Sequence, residues 1–320
     1  MPKPTSKAEI ISCPLCNSHS SFELASRDLM FKKSKLYNYY VCNFCNLSFI
    51  HPMPSLDDIK SFYPDSYMIF EPAKIKKLKY FEKLKLKYKH GYKELLEDNS
   101  MNYLLSLFTI YSHENIDFIK NGKFLDIGCG NGSRLLKMKQ LGWDVSGVEM
   151  SKKAYNECKK NGLNVFNSTL ENTSFESNSF DVIYLSHLIE HLPNPIEVLT
   201  IVKKILKPNG LLYIKTPNRE SLGRKLFKRF WYANDVPRHL SLFGKKNLTM
   251  VSKKLRFDLV HYSEDTTPKI FLNSLDYVFN LKKPSKKNKF LRLISKIYVY
   301  PAKLLRMGDE SFYIFKKIKN

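Results

Sequence analysis

A glycine-rich turn at the end of an apolar run is the first candidate for ligand chemistry. The run Phe124–Ile127 leads into glycines at three alternating positions, Gly128, Gly130 and Gly132. Glycine adopts dihedral angles and allows close ligand approach that a Cβ would prevent, and the N-terminus of a following helix favours a negatively charged group. Glu149 ends the next apolar run, where a carboxylate can accept both hydroxyls of a ribose. These residues predict a nucleoside-containing ligand.

The glycine spacing separates two such ligands. A dinucleotide site has the fingerprint G-x-G-x-x-G, but here Ser133 stands where that fingerprint has its third glycine, and Gly132 comes one position earlier. The resulting G-x-G-x-G turn resembles motif I of class I methyltransferases, which bind S-adenosylmethionine. The resemblance implies that the turn wraps the methionyl portion and that Asp126 orients its amino group. The alternative is a generic tight turn between a strand and a helix.

Two later segments extend this resemblance. Ser179–Leu192 and Leu206–Gly210 are similar to the corresponding segments of small-molecule methyltransferases such as those of quinone biosynthesis. Met150 matches the apolar residue that packs on adenine in the family, whereas Thr169 and Leu170 stand where the family often has an acidic residue. The resemblance implies S-adenosylmethionine as cofactor, with contacts from Asp126, Gly128, Cys129, Gly130, Gly132, Glu149, Met150, Thr169, Leu170, Ser186 and His187.

Four cysteines form two C-x-x-C pairs near the N-terminus, Cys13 with Cys16 and Cys42 with Cys45. Four thiolates make a closed tetrahedral site that leaves no coordination position for water, so we expect a structural zinc ion in a zinc ribbon. A redox role is the alternative, but neither pair lies in a thioredoxin-like context.

The cysteine module and two later stretches resemble a bacterial group of class I methyltransferases. In that group a zinc ribbon precedes the catalytic domain, and many members are associated with surface-polysaccharide or sugar modification. The stretches that carry the resemblance are Phe44–Pro54, Phe62–Tyr67, Trp231 and Pro237–Phe243. The resemblance specifies fold and cofactor better than it specifies the acceptor.

Three residues are candidates for acid–base catalysis. Methylation of a hydroxyl needs a general base, and Glu190 and His191 follow the fourth predicted strand, whose carboxyl end lies at the ligand crevice of such folds. His239 lies in a later loop rich in arginine and aromatic residues. The catalytic candidates are therefore His239, His191 and Glu190. Alternatively, Glu190 and His191 only buttress a helix, and His187 contacts the cofactor through its backbone.

These residues require an α/β fold. Short apolar runs alternate with helical patterns from Gly122 onwards, which predicts a Rossmann-like, mainly parallel seven-stranded sheet with a helical insert before its last strand. We expect a zinc ribbon at 1–54, a helical connector at 55–121 and the methyltransferase domain at 122–320. The predicted strands are 124–127, 144–149, 164–166, 181–185, 211–215, 257–262 and 311–315. The predicted helices are 133–141, 151–161, 195–206 and one that ends near 255.

The charge of the chain predicts an anionic partner. Lys and Arg total 53 against 30 Asp and Glu, a net charge of +23. The segment 268–307 alternates apolar residues with lysines, as in an amphipathic helix on an anionic membrane surface or a cap over an active site. Nucleic acid is a less favoured partner, because the basic tracts lack a groove-reading motif. No signal peptide or long apolar run occurs, so we expect a cytoplasmic protein, peripheral at the inner face of the membrane.

The sequence thus predicts methyl transfer from S-adenosylmethionine to a hydroxyl, less readily to nitrogen or carbon, of a sugar, glycan precursor or small metabolite. The alternatives are an RNA or protein methyltransferase that uses the ribbon and the basic surface, and a non-catalytic adaptor that binds S-adenosylmethionine.

Overall fold

The computed structural model describes residues 11–64, 73, 77–280 and 288–319. Its strands are β1 (Ile11–Ser12), β2 (His19–Arg27), β3 (Leu36–Cys42), β4 (Ser48–Ile50), β5 (Lys123–Ile127), β6 (Asp144–Val148), β7 (Asn164–Phe166), β8 (Phe180–Ser186), β9 (Leu206–Pro217), β10 (Ser241–Leu242), β11 (Phe257–Asp265) and β12 (Glu310–Lys317). Its α-helices are α1 (Leu56–Ser61), α2 (Tyr80–His90), α3 (Ser100–Ser106), α4 (Ser133–Gln140), α5 (Lys152–Lys160), α6 (Pro195–Ile205), α7 (Leu222–Phe227), α8 (Lys245–Lys254), α9 (Pro268–Val278) and α10 (Lys289–Leu304).

A mixed seven-stranded sheet has the order β11-β12-β9-β8-β5-β6-β7. The pairs β5–β6, β5–β8 and β6–β7 are parallel, whereas β11 and β12 pair antiparallel. The seven strands predicted from the sequence are confirmed to within a few residues, except that β9 begins at Leu206 rather than at Leu211. The sequence thus predicts the seven strands, and the antiparallel pairing of β11 with β12 makes the sheet mixed.

The central strand β5 shows why these residues form a parallel sheet. Phe124, Leu125 and Ile127 point to both faces of the sheet and are all buried. Helices that cross over parallel strands cover both faces, so the strand is apolar without alternation. The exception is Asp126, a buried carboxylate in the same strand.

Within the predicted helical connector, apolar residues from Ile75 to Leu96 recur at spacings of three and four, which favours a single helix in the segment 55–98. The described part of this segment forms separate helices instead. The capping box of Ser55 and Asp58 starts the short helix α1, which ends at Ser61. A separate helix, α2, ends at Gly91, whose φ of +80° gives the left-handed cap that glycine adopts without strain. Residues 65–72 and 74–76, including Ile75 and Tyr67 of the quoted patterns, lie outside the described residues.

The described chain forms two compact units. The first comprises Met1–Ile69, Ser186–Thr200 and Tyr213–Ile318; the second comprises Phe70–Leu185, Ile201–Leu212 and Lys319–Asn320. The division into 1–54, 55–121 and 122–320 stays a prediction.

The cysteine-bearing segment belongs to the first unit. There, β1 to β4 form antiparallel pairs, and β4 also pairs with β10, where Phe49 lies opposite Ser241. A small core unites the same parts of the chain, since Tyr39 and Ile50 pack with Val236 and Leu240.

In the part of the predicted basic insert that the structure describes, there are two helices. These are α9, which begins with Pro268 at its first turn, and α10, whose N-cap is Asn288. Lys282, Lys283, Lys286 and Lys287 of this insert lie outside the described residues. Among the helices of the described ranges, none is both long and apolar enough to cross a membrane.

Candidate active site and metal centre

The glycine turn of the second unit has the backbone that its sequence predicts. Gly128, Gly130 and Gly132 have φ values of +71°, +56° and +79°, in the left-handed region that favours glycine. A Cβ on Gly132 would lie 2.5 Å from Leu163 Cδ1, whereas a Cβ on Gly130 would meet no atom of the described residues within 4 Å. The turn is therefore packed against the protein at Gly132 and open at Gly130, as a cradle for a ligand requires.

Glu149 is tied to this turn by its carboxylate. Its Oε2 accepts a hydrogen bond from the N–H of Gly130 at 2.9 Å, and its Oε1 accepts one from the N–H of Ser151 at 2.7 Å. Burial raises the pKa of Glu149 in spite of these hydrogen bonds. Because a carboxylate has about four lone-pair sites and the backbone N–H groups do not use all of them, Glu149 keeps acceptor capacity for a diol. The two N–H groups fix the orientation in which the carboxylate would receive it.

Asp126 lies buried at the end of β5 beside an arginine. Burial raises its pKa to about 6, while Arg134 opposes that rise. The Arg134 Nε lies 3.5 Å from Asp126 Oδ2, and its guanidinium stacks 3.6 Å above the centre of the Tyr184 ring. This arrangement suits a ligand cation, which would favour the ionised carboxylate.

The remaining cofactor candidates of the second unit differ in exposure. Met150 is 61% exposed and follows Glu149 directly, so its side chain is free to cover a planar ring. Asn167 donates to the carbonyls of Glu149 and Met150 and holds this corner in place. By contrast, Cys129 and Leu170 are buried in the core. The carbonyl of Thr169 accepts a hydrogen bond from the Thr173 hydroxyl at 2.7 Å.

The three catalytic candidates lie together in the first unit. Glu190, His191 and His239 each offer a ligand or proton-accepting atom, and these atoms lie within 4.8 Å of one another. The rings of His191 and His239 meet edge to face, with centroids 4.6 Å apart. The Glu190 carboxylate is fully buried and its Oε2 accepts a hydrogen bond from Thr216. The sequence-based grouping of these residues thus corresponds to a side-chain cluster, although their catalytic role stays a prediction.

The charges in this cluster are shifted by burial and by one another. Burial acts to raise the pKa of Glu190, but the adjacent His187 side chain and the nearby imidazoles of His239 and His191 lower it to about 2. Burial and the neighbouring His239 lower the pKa of His191 to about 4. The cluster therefore presents an ionised carboxylate and a neutral imidazole at neutral pH.

Ser186 and His187 belong to the first unit. His187 has a left-handed φ of +52°, and its N–H donates to the carbonyl of Lys215 at 2.8 Å. Although desolvation disfavours its charged form, the carboxylates of Glu190 and Glu310 raise the pKa of His187 to about 9. The His187 side chain thus forms ion pairs with Glu190 and Glu310. A cofactor role for Ser186 or His187 stays a prediction.

The four N-terminal cysteines converge on one point. Cys13 Sγ lies 3.6 Å from Cys45 Sγ, Cys16 Sγ lies 3.4 Å from Cys42 Sγ, and all four sulfurs lie within 4.8 Å of one another. Tetrahedral zinc with Zn–S bonds of about 2.3 Å needs S···S separations of about 3.8 Å, so the donor set fits zinc.

The two cysteine pairs share one local geometry. Asn17 and Asn46 both adopt a left-handed φ, and their N–H groups donate to the carbonyls of Cys13 and Cys42. The same turn thus occurs in both pairs, and the four thiols that it carries lie within 4.8 Å of one another.

Several residues at these sites escaped the sequence analysis. Asp235 lies 4.0 Å from His239 Nε2, and Tyr63 lies 2.9 Å from His191 Nδ1. Arg134 beside Asp126 was also missed. Asp235 stands only four residues before His239, in the loop that the sequence had already singled out, and this nearness was a local signal.

A family model described as a methyltransferase domain matches residues 81–262, more than half of the chain. The ubiquinone biosynthesis O-methyltransferase of Haemophilus ducreyi is 34% identical over 108 residues, which cover 30% of this chain and 46% of the relative. The corresponding enzyme of Actinobacillus pleuropneumoniae serotype 5b is 31% identical over 120 residues, 34% of this chain and 51% of the relative.

The chain spans about half the length of these curated relatives. A solved structure of an S-adenosylmethionine-dependent methyltransferase from Archaeoglobus fulgidus superposes with a TM-score of 0.45 at 22% identity, covering 61% of this chain and 86% of that one. Since the family model covers more than half of its residues, the chain belongs to the family of methyltransferase domains.

Proposed function

We propose that the protein binds S-adenosylmethionine and transfers its methyl group to a hydroxyl of a small metabolite or sugar-containing acceptor. The observation that carries this proposal is the Glu149 carboxylate, held by the N–H of Gly130 beside an open glycine turn. Family membership supports the same conclusion, and the curated relatives are named as O-methyltransferases. The cofactor supplies an electrophilic methyl group, so the protein's task is to orient the acceptor and remove its proton.

The residues of the second unit fit the cofactor. Glu149 would accept the ribose hydroxyls, and Asp126 would accept a hydrogen bond from the ammonium group. The turn Gly128–Gly132 would approach the methionyl portion, and Met150 would cover the adenine.

We propose that the Glu190–His191–His239 cluster activates the acceptor hydroxyl. His239 Nδ1 lies 2.8 Å from the carbonyl of Ala233, so this nitrogen carries the proton and Nε2 has a free lone pair. A free lone pair beside the Glu190 carboxylate is what a proton acceptor requires. The sugar-type acceptor rests on the resemblance of the zinc-ribbon group, and the metabolite-type acceptor rests on the named relatives.

Calorimetry with S-adenosylhomocysteine tests the cofactor site. Wild-type protein should bind it, and Glu149→Gln should weaken binding by at least tenfold, because the amide loses one acceptor oxygen. Binding of NAD in place of S-adenosylhomocysteine would contradict the proposal.

Turnover with cell-envelope extract tests the cluster. His239→Gln should bind S-adenosylhomocysteine as the wild type does, while its release of S-adenosylhomocysteine from S-adenosylmethionine collapses. Unchanged turnover per bound cofactor would remove His239 from the mechanism. Turnover restored by RNA or protein fractions alone would instead favour those acceptors.

We propose that the four cysteines hold a structural zinc ion. The thiolate distances support this assignment, and the four protein ligands leave the ion no open position.

We also propose that helix α10 contacts an anionic membrane surface. Five apolar side chains follow one another at spacings of three and four residues and are each more than half exposed: Phe290, Leu293, Ile297, Tyr300 and Leu304. The helix contains Lys289, Arg292, Lys296 and Lys303 and no acidic residue. An exposed apolar stripe flanked by cations suits the boundary between lipid headgroups and acyl chains.

A further inference from the structure

The Glu190–His191–His239 cluster contains a buried carboxylate oxygen that lacks a hydrogen bond. Among the described residues, Glu190 Oε1 is buried without a hydrogen-bond partner, although Oε2 of the same carboxylate accepts from Thr216. The nearest ion-pair atoms are His187 Nδ1 at 3.4 Å and His239 Nε2 at 3.9 Å. A buried charged oxygen left in this state is costly, so an additional ligand is expected beside it.

Both histidines of the cluster have one nitrogen occupied by a backbone carbonyl. His239 Nδ1 lies 2.8 Å from the carbonyl of Ala233, and His191 Nδ1 lies 3.0 Å from the carbonyl of Arg238. A carbonyl oxygen only accepts, so each Nδ1 carries the proton and each Nε2 keeps its lone pair. At His191 the same N–H also faces the Tyr63 hydroxyl oxygen at 2.9 Å, which then acts as a second acceptor. Histidines that bind metals are oriented in this way, by donating the other ring N–H to a carbonyl or a carboxylate.

One separation in the cluster is close to that of two ligands on the same ion, and the candidate ligand atoms of all three residues lie within 4.8 Å of one another. Ligands about 2.1 Å from a tetrahedral metal ion lie about 3.4 Å apart, and Glu190 Oε1 lies 3.9 Å from His239 Nε2. Closing this gap requires a shift of about half an ångström, which side-chain rotation alone provides. Asp235 is not needed as a ligand, because its carboxylate binds Arg238 in two places.

We propose that Glu190, His191 and His239 form a second metal site, which binds a divalent transition-metal ion such as Zn²⁺ through two imidazoles and one carboxylate. This donor set is typical of ions that keep open coordination positions. It differs in kind from the closed four-thiolate site in the same unit.

An open coordination position gives the site a chemical use. An ion held by three protein ligands binds an oxygen ligand and lowers the pKa of that ligand. If the ligand is the acceptor hydroxyl, which rests on the proposed function, a bound ion would lower the pKa of that hydroxyl enough for solvent water to accept its proton. The imidazoles would then serve as metal ligands and not as the base.

Metal content of the full-length chain tests the proposal. Protein equilibrated with Zn²⁺ and freed of loosely bound metal should hold two zinc ions per chain by mass spectrometry. Glu190→Gln and His239→Gln should each hold one. The matched control is His90→Gln, which removes a buried imidazole 2.8 Å from the Asp117 carboxylate and should still hold two.

Cobalt substitution separates the two sites and reports folding. Co²⁺ on the four thiolates gives a sulfur-to-metal charge-transfer band, whereas Co²⁺ on His and Glu ligands adds only weaker d–d bands. The variants should lose the additional d–d bands of the His and Glu site and keep the sulfur-to-metal charge-transfer band. The retained band shows that the unit is still folded. A wild-type chain with no ion beyond the thiolate site, or variants with undiminished metal content, would overturn the proposal. Binding of S-adenosylhomocysteine, measured on the same samples, tests the proposed function separately.

Discussion

At the scale of single residues, the glycine turn shows which atoms face the protein and which face a ligand. Gly130 and Gly132 share the left-handed φ, so alanine at either position costs about 1–2 kcal/mol in backbone strain alone. They differ in what the new methyl group meets, since Gly132 packs on Leu163 and Cys158 and Gly130 faces open space. Alanine variants at Gly130 and Gly132 therefore distinguish an effect on ligand binding from an effect on protein stability.

We predict that Gly130→Ala retains the fold and loses cofactor affinity by at least tenfold, because its methyl group enters the cradle. Gly132→Ala should lose a further 1–3 kcal/mol of stability, roughly, because its methyl group overlaps Leu163 Cδ1 and Cys158 Sγ. Urea unfolding and calorimetry with S-adenosylhomocysteine measure the two effects. Wild-type affinity in Gly130→Ala would show that the open side of the turn is not the ligand's side.

The buried carboxylate of Asp126 predicts a pH dependence of binding. Its pKa of about 6 in the free protein means that it is protonated below this pH and ionised above it. Only the ionised form pairs with an ammonium group. Affinity for S-adenosylhomocysteine should therefore rise with pH up to about 6 and then level off, with a slope of about tenfold per unit below that pH.

Asp126→Asn is the control for this dependence, because the amide does not titrate. It should bind weakly and with little change between pH 5 and pH 7. An unaltered slope in Asp126→Asn would assign the titration to another group, such as Glu149, whose pKa is also raised by burial.

At the scale of elements, α10 has two faces with different environments. Ser295, Tyr298 and Ala302 are buried, and Tyr298 donates a hydrogen bond to Asp309 at 2.9 Å, so this face anchors the helix. The stripe of Phe290, Leu293, Ile297, Tyr300 and Leu304 is exposed. The anchored face makes it feasible to alter the stripe without unfolding the helix.

We predict that the protein sediments with vesicles that contain anionic lipid and not with neutral ones. Replacing Ile297 and Leu304 by Asn should reduce the bound fraction by about tenfold or more, since each side chain contributes on the order of 1–2 kcal/mol when buried. The matched control replaces Phe108 and Ile110, which are both 83% exposed outside this stripe. Equal loss in both double variants would indicate nonspecific adhesion.

The elements also show where local sequence patterns succeed and fail. Strand β7 is predicted at Asn164–Phe166 and found there, because three residues between turn signals leave little freedom. The helix predicted over 55–98 fails at Gly91, whose left-handed cap outweighs the apolar spacing on either side of it. Arg256, directly before β11, adopts a left-handed φ of +61°, which its residue type does not predict.

At the scale of the whole molecule, the long-range pairings of the first unit were not predictable. The C-x-x-C spacing identified the four cysteines that cluster, but nothing local signals that β4 pairs with β10 almost two hundred residues later. The same holds for buried ion pairs, in which Arg238 binds Asp28 and Arg224 binds Glu23. Such pairs depend on burial, which a sequence reveals only when the fold is known.

The Asp28–Arg238 pair gives a stability prediction. Both side chains are almost fully buried, at 2% and 1% exposed, with Asp28 Oδ2 2.8 Å from the guanidinium. Asp28→Asn should lower the free energy of unfolding by about 3 kcal/mol, because it leaves a buried cation with one carboxylate, Asp235, instead of two. Asp57→Asn, which breaks the exposed pair with Lys60, should change it by less than about 1 kcal/mol. Equal changes in the free energy of unfolding by urea would show that burial does not determine how much these ion pairs contribute to stability.

Removal of the cysteine-bearing segment tests whether it folds apart from the rest of the first unit. Deleting residues 1–54 takes away Asp28 and Glu23, and thereby strips carboxylates from the buried guanidinium groups of Arg238 and Arg224. It also removes Tyr39 and Ile50 from the core that contains Val236 and Leu240.

We therefore expect the remaining chain to lose cooperative unfolding of the first unit, a larger effect than that of Asp28→Asn alone. Circular dichroism melts give the overall transition, and amide exchange of residues 231–243 gives the local one. Full protection of these amides in the truncated protein would mean that the ribbon is a separable module, as the boundary at residue 54 predicts. Loss of their protection would mean that the loop carrying His239 is held in place by the cysteine-bearing strands.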